Sequence, residues 1–287
     1  MDAELALKQG DLDVALQQLQ AKIRKAPADP KLRVFLFQLF CVLGDWQKAA
    51  NQLKVAVELD AGSLAMARTY KPALQAAALR DSVFAGERDP IVFGEPEQWI
   101  ALLFQALRVG AQGNQTQSQQ LRSQAFAAAP ETPGQIDGES FAWIADADMR
   151  MGPMLEMILN GRYNWVPFQH IRHIRFEQPT DLRDLVWMPA HITWTNAGKS
   201  VALIPTRYPG SETSQDSSIR LAAHTDWLEQ GEDLFYGLGQ RMLATDQGEY
   251  PLLAIREIQL NPAISDTDKP DTERPDTERP AGSADDG

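Results

Sequence analysis

The sequence contains little cysteine and little histidine. Cys41 is the one cysteine among 287 residues, and there are four histidines. A single cysteine excludes an internal disulfide framework and any metal site built on several cysteines. Because Cys41 lies within the apolar pattern of a helix, we interpret it as a small buried hydrophobic residue rather than a reactive thiol.

Long apolar runs and a basic leader are also missing. No stretch approaches the roughly 20 apolar residues that a membrane helix needs. The N-terminus carries Asp2 and Glu4 where a signal peptide has basic residues followed by an apolar segment. We therefore expect a cytoplasmic protein that has no membrane partner.

Positive charge is in short supply as well. The formal net charge is −12 and the sequence pI is about 4.8. Nucleic-acid binding needs a basic surface, so this balance argues against a nucleic-acid partner. Residues 266–287 hold eight acidic and three basic residues and repeat the string Asp-Thr-Glu-Arg-Pro. With almost no apolar side chain to bury, residues 263–287 are predicted to be a disordered acidic tail.

The first part of the chain carries a helical repeat pattern. Gly10-Asp11-Leu12 and Gly44-Asp45-Trp46 stand 34 residues apart, and each leads into an apolar helical stripe. A glycine turn between two helical patterns at this period indicates stacked helix–turn–helix units. The spacing resembles the second half of a tetratricopeptide repeat. We predict a repeat domain of this kind over residues 1–130.

After residue 130 the period of the apolar residues shortens toward that of β-strands. This pattern predicts a smaller mixed domain over residues 138–262, whose mostly antiparallel sheet could curl into a barrel, and hence an α+β fold overall. Asn196-Ala197-Gly198 indicates a hairpin turn. Two further helices are predicted at Pro153–Asn160 and Thr180–Trp187, and one of the later strands at Ile219–Ala223.

The residues that could carry chemistry do not combine into a site. His170 and His173 are three apart in a β-like run, which turns them to opposite faces. His224 and Asp226 could form a dyad, but no nucleophile motif accompanies them. We interpret Asp146 and Asp148 as solvated strand charges. The sequence thus predicts no catalytic residue, metal or cofactor, although a metal-dependent hydrolase or a ligand-binding regulatory protein using the second domain stays an alternative.

Two strings in the second half carry a family resemblance. "WVPFQHIRHIRFEQPTDLRDLVWMPA", which begins at Trp165, and "ALIPTRYPGSE", which begins at Ala202, resemble the TagJ/ImpE accessory proteins of bacterial type VI secretion systems. The resemblance implies a non-enzymatic adaptor. It also implies that the protein binds the N-terminal helix of the small contractile-sheath subunit and assists the ATPase that disassembles the sheath.

Two surfaces are candidates for the partner site. If the repeats follow tetratricopeptide geometry, a concave groove receives the partner helix. The predicted groove residues are Lys31, Val34, Gln38, Cys41, Ile100, Leu103 and Leu107. Alternatively, the aromatic and arginine residues of the second domain form a docking face, since these types dominate binding hot spots. The predicted residues of that face are Trp165, Arg172 and Arg175, although the same segment also suits a domain core.

Overall fold

The architecture is a layer of helices packed against an extended sheet. The computed structural model describes residues 2–94, 97–231 and 234–261. The α-helices in these ranges are α1 (Ala3–Lys8), α2 (Leu12–Lys25), α3 (Pro30–Val42), α4 (Trp46–Leu59), α5 (Leu64–Phe84), α6 (Gln98–Ala111), α7 (Gln115–Ala128) and α8 (Ser217–Arg220). No helix among them combines the length and apolar character that crossing a membrane requires.

Glycine turns organise the helices into pairs, as the repeat pattern predicts. Gly10, Gly44 and Gly113 have φ angles of 77°, 73° and 88° and separate the members of the pairs α1–α2, α3–α4 and α6–α7. Such angles are accessible to glycine at little cost. The residue after each glycine caps the second helix by accepting a hydrogen bond from a first-turn N–H, as Asp45 does from Lys48 at 3.2 Å.

The strands follow the helices along the chain. They are β1 (Ile91–Val92), β2 (Gly134–Ile136), β3 (Glu139–Phe141), β4 (Ile144–Asp146), β5 (Met154–Leu159), β6 (Arg162–Pro167), β7 (Ile171–Phe176), β8 (Trp187–Trp194), β9 (Lys199–Pro205), β10 (Thr225–Gly231), β11 (Leu234–Gly239), β12 (Met242–Thr245), β13 (Glu249–Pro251) and β14 (Glu257–Leu260). The α+β class is therefore confirmed.

Nine of these strands form one sheet in the order β1-β6-β5-β9-β8-β7-β14-β2-β3. Its only parallel pair among the described strands is β1 with β6. The sheet has β1 at one edge and β3 at the other, so the described strands do not close into a barrel. Two smaller sheets, β10-β11 and β13-β12-β4, accompany it.

The two faces of the large sheet contribute side chains to two different hydrophobic cores. Tyr163, Trp165 and Trp187 turn toward the helices and belong to the core that the helices build. Val166 and Met188, one residue further along the same strands, belong to a second core on the opposite face. Because strand residues alternate between faces, a sheet covered on both sides needs apolar side chains on both.

This double coverage explains why one predicted helix is wrong. Residues Pro153–Asn160 contain strand β5, whose six residues are all buried. A strand buried on both faces reads as a continuous apolar run without the period of two, and such a run cannot be distinguished from a helix by pattern alone.

Two other local predictions are wrong. Ile219–Ala223 is not a strand, because α8 occupies this region and Asp216 caps its N-terminus. Thr180–Trp187 is not one helix, since only the short 3-10 helix Leu182–Leu185 forms before β8 begins at Trp187. The domain limits at 130 and 138 stay a prediction, and the predicted tail 263–287 lies outside the described residues.

Candidate partner-binding surfaces

Three of the predicted groove residues line one open cleft. Lys31, Val34 and Gln38 come together on α3 around a cleft of about 540 Å³. Helix α1 forms one wall, and the segment Thr180–Leu182 of the second half forms the other. The cleft is therefore built by both halves of the chain rather than by the repeats alone.

The chemistry of this cleft is amphipathic. Its apolar lining consists of Leu7, Leu32, Val34, Phe35 and Leu182. Its charged lining consists of Glu4, Lys8, Lys31 and Asp181. An apolar surface with charges of both signs matches the apolar face and polar margins of a helix.

Cys41 does not reach the cleft. Its residue is fully buried, and this burial raises the pKa of the thiol far above its ordinary value. The neighbouring backbone is held from the second half, because the Arg207 guanidinium donates to the carbonyl oxygen of Val42 at 2.8 Å. The interpretation of Cys41 as a buried hydrophobic residue is confirmed, and its assignment to an accessible groove is corrected.

The second groove segment is buried as well. Ile100, Leu103 and Leu107 on α6 are 0%, 1% and 7% exposed, and all three belong to the core that the helices share with the sheet. On the same helix, Phe104 contacts Trp165 of β6 at 5.5 Å between ring centroids. The sheet thus covers a face that tetratricopeptide geometry leaves open, and these three residues are not accessible to a docked helix in this conformation.

The three predicted residues of the alternative docking face differ in how far they are buried. Trp165 is fully buried, and its Nε1 donates to the Tyr163 hydroxyl at 2.8 Å, so it is a core residue. Arg172 and Arg175 are exposed on β7. A register shift between β7 and β8 falls at Arg172, which lets Ile171 and Ile174 both turn inward although they are three residues apart.

Arg175 contributes to a concave surface on the outer face of β7, β8 and β9. The surface encloses about 350 Å³ and is lined by His173, Arg175, His191, Ile192, Thr193, Lys199, Ser200 and Val201. Val201 is the most exposed large apolar residue among those described, at 62%. This face is slightly more polar than the cleft at α1 and α3.

The histidines do not converge. His173 Nε2 lies 2.6 Å from Glu257, His191 Nε2 lies 3.5 Å from Glu177, and His224 Nε2 lies 2.9 Å from Asp226. His170 instead lies in the 3-10 turn Phe168–His170 with its ring beside Phe93. Within the described ranges no three histidine, cysteine or carboxylate side chains are grouped as metal ligands would be.

Sequence reasoning missed a buried charged network between α5 and the sheet. Glu156 of β5 accepts from Arg80 of α5 at 2.7 Å and from the Tyr163 hydroxyl at 2.5 Å. Arg241, which is fully buried, forms ion pairs with both Glu156 and Asp146. The aromatic residues of β6 do not indicate this network in the sequence, because the charged residues that form the network are distant from one another along the chain.

The network corrects the interpretation of Asp146 and Asp148 as solvated charges. Asp146 is 3% exposed and Asp148 is fully buried. Burial raises the pKa of Asp146 to about 6, while the neighbouring Arg241 opposes the shift. Asp148 accepts from Arg150 at 2.5 Å and from the backbone N–H of Gly237 at 2.8 Å. Both carboxylates therefore tie loops and strands together.

Comparison with known proteins identifies related chains. Residues 138–259 match the family model described as "ImpE protein". A protein of Pseudomonas aeruginosa named "Type VI secretion system accessory component TagJ" is 48% identical over 262 residues, covering 91% of this chain and 92% of the relative.

A solved structure shares the fold. The crystal structure of a protein from Vibrio parahaemolyticus superimposes with a TM-score of 0.82 at 24% identity, covering 91% of this chain and 98% of that one. The identity to the Pseudomonas aeruginosa protein extends over almost the whole of both chains and includes the helical part as well as the sheet. The chain therefore belongs to the TagJ/ImpE family.

Proposed function

We propose that this protein is a non-enzymatic accessory component of a bacterial type VI secretion system, acting in the cytoplasm. It binds the N-terminal helix of the small sheath subunit and assists the ATPase that disassembles the sheath. The name of the Pseudomonas aeruginosa relative supports the secretion-system role. The cleft between α1, α3 and the Thr180–Leu182 segment is the observation that supports helix binding.

The cleft suits a helix because of its size and its lining. Leu32, Val34 and Phe35 on α3 are half-buried, so their outer atoms are available for a partner to cover. Covering apolar surface contributes roughly 25 cal/mol for each Å² removed from water. The charged residues at the margin orient a bound helix, since they favour opposite charges on its polar flanks.

The outer face around Arg175 is a weaker candidate for the same partner. Of its predicted residues, Trp165 is buried and Arg172 lies outside the concave surface that Arg175 lines. Glu257 and Glu177 already pair with the histidines of that face. A helix docked there would gain one large apolar contact, at Val201.

One pair of matched variants distinguishes the two faces. Val34→Glu places a charge in the cleft, and Val201→Glu places the same charge on the outer sheet face. We expect Val34→Glu to weaken binding of a synthetic peptide of the small sheath subunit's N-terminal helix by at least about tenfold, because the buried carboxylate loses hydration. Val201→Glu should leave the affinity within about twofold.

Isothermal titration calorimetry on the full chain measures both affinities, and thermal unfolding checks that both variants fold. Loss of binding with Val201→Glu alone would move the site to the sheet. Unchanged binding in both variants would contradict both surfaces. Leu103→Glu is unsuitable for this purpose, because Leu103 is 1% exposed and the substitution would disturb the core.

The enzymatic and ligand-binding alternatives make separate claims. A metal-dependent hydrolase purified without chelator would retain roughly one metal ion per chain, which elemental analysis measures. We expect no stoichiometric metal. A ligand-binding regulator would use an apolar cleft of about 420 Å³ that Phe126 of α7 and Trp143 line. Ligand-dependent thermal shifts in a small-molecule screen would support that alternative.

A further inference from the structure

The ribbon formed by β10 and β11 has one edge that is partly paired with the body of the protein and one open edge. On the β11 side, the Gly237 N–H donates to Asp148 at 2.8 Å and the Gly239 N–H donates to Ser211 Oγ at 2.8 Å. The Gly239 carbonyl oxygen accepts from the Tyr208 N–H at 2.9 Å. Three outward backbone groups of β11, at Gly237 and Gly239, are therefore paired with the body of the protein.

The opposite edge, on β10, presents its backbone groups to solvent. The Gln240 N–H donates to the His224 carbonyl oxygen at 2.9 Å, and this bond identifies which residues of β10 point their backbone groups toward β11. Because inward and outward residues alternate, Trp227 and Glu229 turn their N–H and C=O groups away from β11. Across the ranges that the structure describes, these groups have no hydrogen-bond partner.

This edge is held in place although its outer side is unpaired. Trp227 contacts the buried Tyr208 at 5.8 Å between ring centroids. The Arg150 guanidinium lies 4.3 Å from the centroid of the Tyr236 ring, which fixes the neighbouring strand. A two-stranded ribbon is marginal by itself, so these contacts keep an extended template ready for a third strand.

The exposed side chains of β10 indicate which residue types a third strand should have. Leu228 is 44% exposed, the Asp226 side chain is 53% exposed, and Glu229 is exposed. An acidic residue therefore stands at each end of the dipeptide Trp227-Leu228. Opposite charges and apolar pairs across neighbouring strands are each stabilising.

We propose that the open edge of β10 binds an extended segment of a partner protein as an added β-strand. The segment has two adjacent apolar residues flanked by basic residues, which places a positive charge opposite Asp226 and opposite Glu229. Backbone hydrogen bonds to Trp227 and Glu229 supply affinity, and the side-chain pattern supplies specificity. This interface is separate from the helix-binding cleft.

Two occupants from this protein itself fit the edge less well. A second copy of β10 pairing in antiparallel register about Leu228 sets Trp227 against Glu229 and Asp226 against Gln230, so neither acidic residue gains an opposite charge. The tail 262–287 is acidic and repeats proline every five residues, and proline cannot donate to a ladder. A basic partner strand has neither defect.

The probe is a capped hexapeptide, Thr-Lys-Val-Val-Lys-Thr, added to the full-length protein. We expect it to bind and to slow amide hydrogen exchange at Trp227 and Glu229. Glu229→Pro removes an outward donor at an edge position that tolerates proline, and it should weaken binding about tenfold. The matched control Glu229→Gln keeps the N–H and loses only the charge pair, so it should weaken binding by no more than about fivefold.

Several results would overturn the proposal. One is no binding of the peptide, and another is equal binding of Thr-Glu-Val-Val-Glu-Thr. Wild-type affinity in Glu229→Pro, or protection away from β10, would place the peptide elsewhere. A concentration-dependent dimer of the free protein that Glu229→Pro dissociates would assign the edge to a second copy. Circular dichroism of Glu229→Pro should match that of the wild type.

Discussion

Glu156 contacts more charged partners than any other described carboxylate in the core. It accepts from Arg80 and Tyr163 and also pairs with Arg241, and its side chain is fully buried. Removing one member of a buried ionic network leaves the remaining charges without compensation. The stability of the junction between α5 and β5 therefore depends on this side chain.

Glu156→Gln should lower the free energy of unfolding by about 3–5 kcal/mol, because the buried Arg241 and the half-buried Arg80 then share one fewer negative charge. The matched control is Glu58→Gln on α4, whose carboxylate lies 3.8 Å from Lys54 on an exposed surface. That change should cost at most about 0.5 kcal/mol. Urea unfolding followed by tryptophan fluorescence measures both, and equal costs would show that the network contributes little.

Asp146 gives the fold a pH dependence of defined sign. Burial raises the pKa of its carboxyl from 3.8 to about 6, so the folded state holds this proton more tightly than the unfolded state does. Its contribution to stability is therefore complete below about pH 3.8 and is lost as the pH rises through about 6. Asp146→Asn should remove this component, so the wild-type-minus-variant difference in unfolding free energy should fall between pH 4 and pH 7. A difference that rises over this range would contradict the assignment.

These buried charges could not be predicted from the sequence. Asp146 and Arg241 are 95 residues apart, and Arg80 and Glu156 are 76 apart. Each residue is typical of a solvated surface when it is considered alone, and only the folded chain brings the pairs together. Cys41 is different, because its apolar helical neighbours indicate its burial directly.

At the scale of elements, local signals were predictive where they act within a few residues. The turns at Gly10, Gly44 and Gly113 and the cap residues that follow them determine where helices end and begin, and all three lie where the sequence predicts. Strand β5 has no such signal, because tertiary burial on both faces removes its periodicity. The 3-10 helix Leu182–Leu185 has a local capping box, in which Asp184 accepts from the Asp181 N–H at 2.9 Å, and it also packs against α3.

Trp187 joins the helical layer to the sheet. Its ring lies 5.7 Å from the Trp46 ring and 6.1 Å from the Tyr70 ring, and it is 3% exposed. Trp187→Ala should therefore cost about 3–5 kcal/mol through lost burial and a new cavity. Trp143→Ala, at a residue that is 36% exposed, is the matched control and should cost about 1 kcal/mol or less. Thermal unfolding followed by far-UV dichroism gives the comparison, and similar costs would argue that the two layers are weakly coupled.

At the scale of the whole molecule, the shared core limits where a partner can bind. The sheet covers the face of α6 that the repeat pattern predicts as part of a groove, so Ile100, Leu103 and Leu107 belong to the hydrophobic core. The repeat pattern arises from residues that are close together in sequence, whereas the burial of the helix faces depends on how the second half of the chain folds over the helices. Lys31 and Val34 stay accessible because α1 and the Thr180–Leu182 segment leave the cleft open between them, whereas Gln38 lines the same cleft but is only 7% exposed.

The central claim is that this cleft receives the helix of the small sheath subunit, and site-specific photo-crosslinking tests it most directly. A photoreactive amino acid is introduced at Lys31 in the full chain, and separately at Val201, in cells that assemble the sheath. The account predicts a crosslink from position 31 to the N-terminal helix of the small sheath subunit, identified by mass spectrometry, and none from position 201. A crosslink to that helix from position 201 alone would contradict the account.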